Sequence, residues 1–359
     1  MSLVNLAAAF ILASAPLGPS ACYTTEQSRF ASLDADIAIA GEFIVPSGGE
    51  ERKPAVLLIT GTGPHTRDQM ISGNPTFAML ADFFVRRGYV VLRTDARGFG
   101  GSTGPDDDEL TITPERINDN RAALARLRAH PAVDASKIIL MGHSEGGMIA
   151  SELAGENPDV ALAILLSTSA LPGEEVFAWQ QTAGLRRRGM PVEAEAVREQ
   201  FRRYARYLAS GRDDPAEFHA IATDFLRAHG PQAAELDPSV GENAIRGFGQ
   251  SRWLRWFVGY DPRPALSRIH TPVLAIFGGG DQQVVADDHL PALVKALAEG
   301  PADDVTAVVL PGQDHFYLEH DGRPLAQHLP GEMVIADELY GLLSAEMGRR
   351  FGPTTPCEG

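Results

Sequence analysis

Two five-residue stretches have the Gly-x-Ser-x-Gly spacing of a nucleophile held on a sharp turn. They are Gly100-Gly101-Ser102-Thr103-Gly104 and Gly142-His143-Ser144-Glu145-Gly146. Such a serine is useful where a strand–turn–helix junction lifts its hydroxyl clear of a sheet and small neighbours let strand and helix approach. Ser144 has that setting, with KIILM before it and Gly146, Gly147 and MIASELA after it. Ser102 lacks it, because Gly104-Pro105 and the acidic run Asp106 to Glu109 follow. Ser144 is the candidate nucleophile, and Ser102 is expected in a loop.

A serine hydroxyl at neutral pH needs a base, and the base needs an orienting carboxylate. In an open α/β sheet ligands gather at the carboxyl ends of strands, so the useful histidine follows a strand. His315 does, five residues beyond the apolar run Val305 to Leu310. His143 adjoins the nucleophile but is expected to pack beneath its turn; His130, His219, His229, His270, His320 and His328 fall in helix-end, surface or other unsuitable stretches. The carboxylate is assigned to Asp281, after Val273 to Phe277 and three glycines. Its competitors Asp287 and Asp288 are read as acidic residues at a helix start. A tetrahedral oxyanion would need two backbone N–H donors. One is expected from Glu145 and the other from the loop Thr60-Gly61-Thr62-Gly63-Pro64, with Thr62 chosen and Gly63 the alternative.

The elements that must position these groups follow from hydrophobic pattern. Phe30 to Pro46 alternates and ends at Pro-Ser-Gly-Gly, as antiparallel strands do. Ala55–Ile59, Tyr89–Leu92, Lys137–Met141, Val160–Ser167, Val273–Phe277 and Val305–Leu310 are short apolar runs of the kind found in buried parallel strands. Helical spacing lies between them, including a helix from Thr113, read as its N-cap, to about His130. From about 174 to 262 the pattern is helical without a convincing strand. Strands alternating with helices imply a mostly parallel sheet covered on both faces, with the helical block inserted as a lid. The expected division is a signal-like or disordered segment over 1–22, a core over 23–170 and 263–359, and the insertion over 171–262.

Bulk composition bounds the partners. Lys+Arg 31 against Asp+Glu 47 gives a net charge of −16, unsuited to nucleic-acid phosphates or anionic lipid. Cys22 and Cys357 are too few for a zinc cluster or a disulfide framework. No Gly-x-x-x-x-Gly-Lys or His-Glu-x-x-His occurs, so no cofactor and no metal are expected. The apolar run Leu6 to Ala15 is too short to span a bilayer and has the length of a signal-peptide core, yet no Lys or Arg precedes Arg29. Export and cytoplasmic residence both stay open, as does a homo-oligomer.

These motifs together resemble the α/β-hydrolase superfamily, in particular bacterial serine esterases whose first loop reads like GSGPxxRD and whose serine motif reads GHSEGG. Here the counterparts are Gly61-Thr62-Gly63-Pro64-His65-Thr66-Arg67-Asp68 and Gly142-His143-Ser144-Glu145-Gly146-Gly147, with Asp95-Ala96-Arg97-Gly98, Tyr260-Asp261-Pro262 and Gly280-Asp281-Gln282-Gln283-Val284 between and beyond. The likeness covers about residues 23 to 350, and the order Ser144, Asp281, His315 is that of the superfamily. Asp314 stands where similar proteins often have Asn. The resemblance implies an α/β-hydrolase fold and a carboxylesterase-type serine hydrolase acting on a small acyl ester. A peptidase, thioesterase, lactonase or acyltransferase would use the same triad, and a non-catalytic binding protein would not need all of it. Arg67 and Asp68 are expected to brace the first loop through an ion pair. Arginines concentrated from Arg186 to Arg206 are expected to disfavour a substrate with a free α-ammonium group.

Overall fold

Residues next to each other in the apolar runs feed opposite faces of one sheet, so the runs carry no polar alternation. The computed structural model describes residues 20–105, 111–319, 323 and 327–358. The stretch Leu6–Ala15, the run Asp106–Glu109 and His320 lie outside the described residues. In chain order the elements are β1 (Tyr23–Ala31), β2 (Ala38–Pro46), β3 (Lys53–Ile59), a small hairpin of β4 (Met70–Ile71) and β5 (Asn74–Pro75), α1 (Thr76–Arg86), β6 (Val90–Thr94), α2 (Thr113–Arg128), β7 (Val133–His143), α3 (Glu145–Glu156) and β8 (Leu162–Leu166). Helices α4 (Gly173–Arg187), α5 (Pro191–Ala209), α6 (Pro215–Ala228), α7 (Pro231–Ala234), α8 (Pro238–Arg246), α9 (Arg252–Phe257) and α10 (Arg263–Leu266) follow. The chain then returns to the sheet with β9 (Val273–Gly278), α11 (Ala286–Ala298), β10 (Val305–Leu310) and α12 (Asp337–Phe351).

The eight-stranded sheet has the order β1-β2-β6-β3-β7-β8-β9-β10. It is parallel from β6 onward, and β2 runs antiparallel to both β1 and β6. Ala55, Leu57 and Ile59 of β3 join Ile138 and Leu140 of β7 in a core under α2, α3 and α11. Val56 and Leu58 join Ile139 and Met141 in a second core under α1 and α12. At about 25 cal/mol per Å² of apolar surface removed from water, this double burial is the main favourable term of the fold. A third cluster, including Phe177, Phe201, Tyr204 and Ile221, lies within the helical segment and touches α3 through Met148.

Two details differ from the sequence reading, and a third, a disulfide, adds to it. β1 begins at Tyr23, earlier than expected, because YTTEQSRFA is an edge strand with mostly exposed side chains and carries little apolar signal. The cap of α2 is Ile112, not Thr113; the Glu115 carboxylate accepts the Ile112 N–H at 3.0 Å, which frees the Thr113 hydroxyl for another partner. Cys22 and Cys357, separated by 335 residues, form a disulfide that ties the start of β1 to the chain beyond α12. Arg86, at the end of α1, donates to the Cys357 carbonyl beside it.

Candidate active site

Ser144 sits between the last residue of β7 and the first of α3 with φ 56° and ψ −119°, a left-handed conformation that non-glycine residues keep only when surroundings impose it. The surroundings do so through close packing. A Cβ on Gly142 would lie 2.0 Å from the Gly146 carbonyl oxygen, and one on Gly146 would lie 2.1 Å from that of Ile59. The glycines of the motif thus let α3 start directly against β3, leaving Ser144 at the carboxyl end of the sheet.

Asp281 and His315 come from the two adjacent strand ends, β9 and β10. None of Gly278, Gly279 and Gly280 has a positive φ, so the turn there does not need glycine for its backbone angles. Gly278 is needed for another reason, since a Cβ on it would meet the Asp314 carbonyl oxygen at 2.4 Å. This approach brings the two loops together, and His315 Nδ1 donates to Asp281 Oδ2 at 2.7 Å. Asp281 Oδ1 accepts the N–H groups of Gln283 at 2.7 Å and Val284 at 2.9 Å. Burial works against the Asp281 charge, but the His315 bond and those N–H groups outweigh it and hold the carboxyl below its ordinary value. Asp314 Oδ1 accepts the Phe316 N–H at 2.8 Å, a local turn an Asn would make equally well. Asp287 and Asp288 are exposed in the first turn of α11.

Ser144, His315, Thr62 and Glu145 line one cavity of about 300 Å³, together with Val176 and Phe257 from the helical segment. Ser102 is not among the residues that line it. Its hydroxyl accepts the Ala40 N–H and donates to the Asp95 carbonyl, both at 2.9 Å, which makes it a brace between loop and sheet. His143 lies beneath the turn and also reaches the cavity. Its Nε2 donates to the His315 carbonyl at 2.8 Å, and Nδ1 accepts from Gln69 at 3.2 Å. Gln69 in turn accepts the Gly61 N–H at 2.8 Å, linking the first loop to the His315 loop. Burial foremost, then the neighbouring His315, pushes the His143 imidazole down to about 3, so it is neutral.

Arg67 and Asp68 do not pair with each other, because adjacent side chains diverge here toward different strand-end partners. Arg67 makes a two-pronged bond to Asp95 at 3.0 and 2.8 Å, and Asp68 pairs with the buried Arg93. The arginines of α5 are likewise committed. Arg198 and Arg202 bind Glu175, Arg203 binds Asp224, and Arg206 binds Glu174. The positive charge of α5 is therefore largely neutralised by carboxylates of α4 and α6.

Four side chains at the site escaped the sequence reading. The Glu145 carboxylate is buried, accepts from the Thr113 hydroxyl, and accepts from Trp253 Nε1 at 2.9 Å. Arg116 lies 3.6 Å from it and also donates to the first loop. The available signal was Arg116 itself, a charge on the same face of α2 as buried Ala123 and Leu127. Among the described residues no group of three or more His, Cys, Asp or Glu is placed to hold a metal ion.

Comparison with known proteins places this architecture. Esterase EstD of Thermotoga maritima is 25% identical over 285 residues, which is 79% of this chain and 59% of that protein. The chain thus spans about three-fifths of that relative's length. The Pyrococcus furiosus esterase Pf2001 superposes with a TM-score of 0.55 at 15% identity, covering 92% of both chains. Est1E of Butyrivibrio proteoclasticus, solved with ferulic acid bound, gives 0.53 at 15% identity, covering 90% of this chain and 99% of that one. These likenesses in structure show a shared fold. A model of the alpha/beta hydrolase family matches residues 56–328, well over half of the sequence, and the chain belongs to that family.

Proposed function

We propose that the protein is a serine hydrolase that cleaves carboxylic esters through an acyl-enzyme intermediate. The observation that carries this reading is His315, bonded to Asp281 and lining the cavity that also holds Ser144 at its strained turn. Ser144 Oγ attacks the acyl carbonyl while His315 Nε2 takes its proton, and Asp281 holds the imidazole with its other proton on Nδ1. The carbonyl oxygen becomes an oxyanion that accepts from the backbone N–H groups of Thr62 and Glu145. Collapse expels the alcohol, which leaves with the proton from His315. Water then attacks the acyl-serine, gives a proton to His315, and releases the acid as Ser144 recovers its own.

The esterase name of the sequence relative EstD supports an ester over other acyl substrates. The helical segment between β8 and β9 acts as a lid, because Val176, Phe257 and Trp253 close the cavity from that side. The only carboxylate lining the cavity among the described residues is Glu145, and it is already bonded to Thr113 and Trp253. A peptide substrate's free α-ammonium would have to compete with Arg116, 3.6 Å away, for that one carboxylate. Short to medium acyl esters are therefore expected to be cleaved at least about a hundredfold better in kcat/KM than aminoacyl arylamides, a gap of about 2.7 kcal/mol. Equal or faster cleavage of the arylamides would overturn the ester assignment.

The Cys22–Cys357 disulfide favours an exported protein, since such bonds persist in oxidising compartments. No helix among the described residues is long and apolar enough to cross a membrane. Thiol trapping in intact cells should find the bond already formed, and free thiols there would contradict export.

A further inference from the structure

The reaction proposed above needs two backbone N–H groups aimed at one point, and something must hold the loop that supplies the first. In a trans peptide the carbonyl of one residue and the N–H of the next point in opposite directions. Whatever fixes the Gly61 carbonyl therefore fixes the Thr62 N–H. That carbonyl accepts from Arg116 Nη1 at 3.1 Å, and the Gly63 carbonyl accepts from Arg116 Nη2 at 3.3 Å. Arg116 is buried and is not among the residues lining the cavity, so it pulls the Gly61 carbonyl from behind the loop. The same guanidinium lies 3.6 Å from the carboxylate of Glu145, whose N–H is the second donor.

We infer that Arg116 is a positioning residue for the oxyanion site. It sets the plane of the Gly61–Thr62 peptide and, through Glu145, ties that loop to the start of α3. One planar fork serves two carbonyls and a carboxylate, which the point charge of a lysine ammonium does not reproduce. The inference rests on the serine-hydrolase reading, and its test separates the two.

The variants are Arg116→Lys, Arg116→Ala and the double Arg116→Gln/Glu145→Gln, which removes both charges of the Arg116–Glu145 pair. Each is measured for ester turnover and for affinity toward a trifluoromethyl ketone, which binds serine hydrolases as a tetrahedral oxyanion. The expected result is a fall in kcat of about 10- to 100-fold with KM changed less than about threefold, short of the 10²–10³ for outright loss of a donor. Ketone affinity should fall by the same factor as kcat/KM, and added guanidinium ion should restore part of the Arg116→Ala turnover. A folded double variant with unchanged kcat and ketone affinity, beside an inactive Ser144→Ala, would overturn the role of Arg116. A rise in KM at unchanged kcat would do the same. Undiminished turnover in Ser144→Ala would instead overturn the reading beneath it.

Discussion

The strand ends and the helical segment meet over the same cavity, but they are held there by different means. On the strand side main-chain groups take part in the fixing. Ser144 is trapped at positive φ, Asp281 receives two N–H groups, and the His315 carbonyl accepts from His143. On the helical side the contacts are made by side chains. Trp253 reaches Glu145, Trp179 and Gln180 donate to the carbonyls of Gln282 and Gln283, and Val176 and Phe257 present apolar surface. Bond-making chemistry needs groups placed to fractions of an ångström, whereas an apolar wall needs only shape. On the proposed reading, chemistry belongs to the first side and selection among substrates to the second.

The sharpest way to break that division is a change on the strand side. Asp281→Asn should leave the fold intact and lower kcat by roughly 10⁴, equally for every acyl group, because the wrong imidazole tautomer is favoured. A loss confined to some acyl chains, or a comparable loss in Asp287→Asn, would move the carboxylate elsewhere. On the helical side, Phe257→Ala should instead shift preference among acyl chains by about 1–3 kcal/mol in kcat/KM. A panel of p-nitrophenyl esters measures this, and a uniform loss across the panel would give the helix a chemical role.

Acid stability should separate the regions further. His143 and His289 are buried on the strand side, and burial first of all pushes them down to about 3 and about 4. The unfolded chain takes up these protons near pH 6.5, while the folded chain refuses them. Proton uptake therefore favours unfolding, and stability falls as pH drops from about 6.5 toward 4, by about 1.4 kcal/mol per pH unit for each histidine. Denaturant midpoints across that range measure the slope, which His289→Gln should make shallower by one histidine's share. An unchanged slope would mean His289 is protonated in the folded chain. The smallest effect is expected at Ser102, where Ser102→Ala removes a brace and should keep kcat within about tenfold of the parent.

The strand side was also the more legible in sequence. The apolar run AVLLI names a strand buried on both faces, and the glycines around Ser144 name a turn that tolerates no Cβ. Each follows from a local rule. The polar edge strand β1 escaped because its side chains face water, and the α2 cap was misplaced because Pro114 and Glu115 fit either of two frames. Partner choice was the least legible. Asp68 with Arg93, Arg202 with Glu175 and Cys22 with Cys357 are pairs that only the folded chain defines. Arg116 shows the same limit, for a charged residue on a buried helix face signals a partner without naming it.

The central claim, that Ser144 is the nucleophile of an ester hydrolase, is tested most directly by covalent labelling. A fluorophosphonate probe should modify the native protein at Ser144 and at no other serine, read by peptide mass spectrometry, with ester turnover lost in step with labelling. Ser144→Ala should take no label and hydrolyse esters several orders of magnitude more slowly. Label at Ser102, or turnover that survives in Ser144→Ala, would contradict the account.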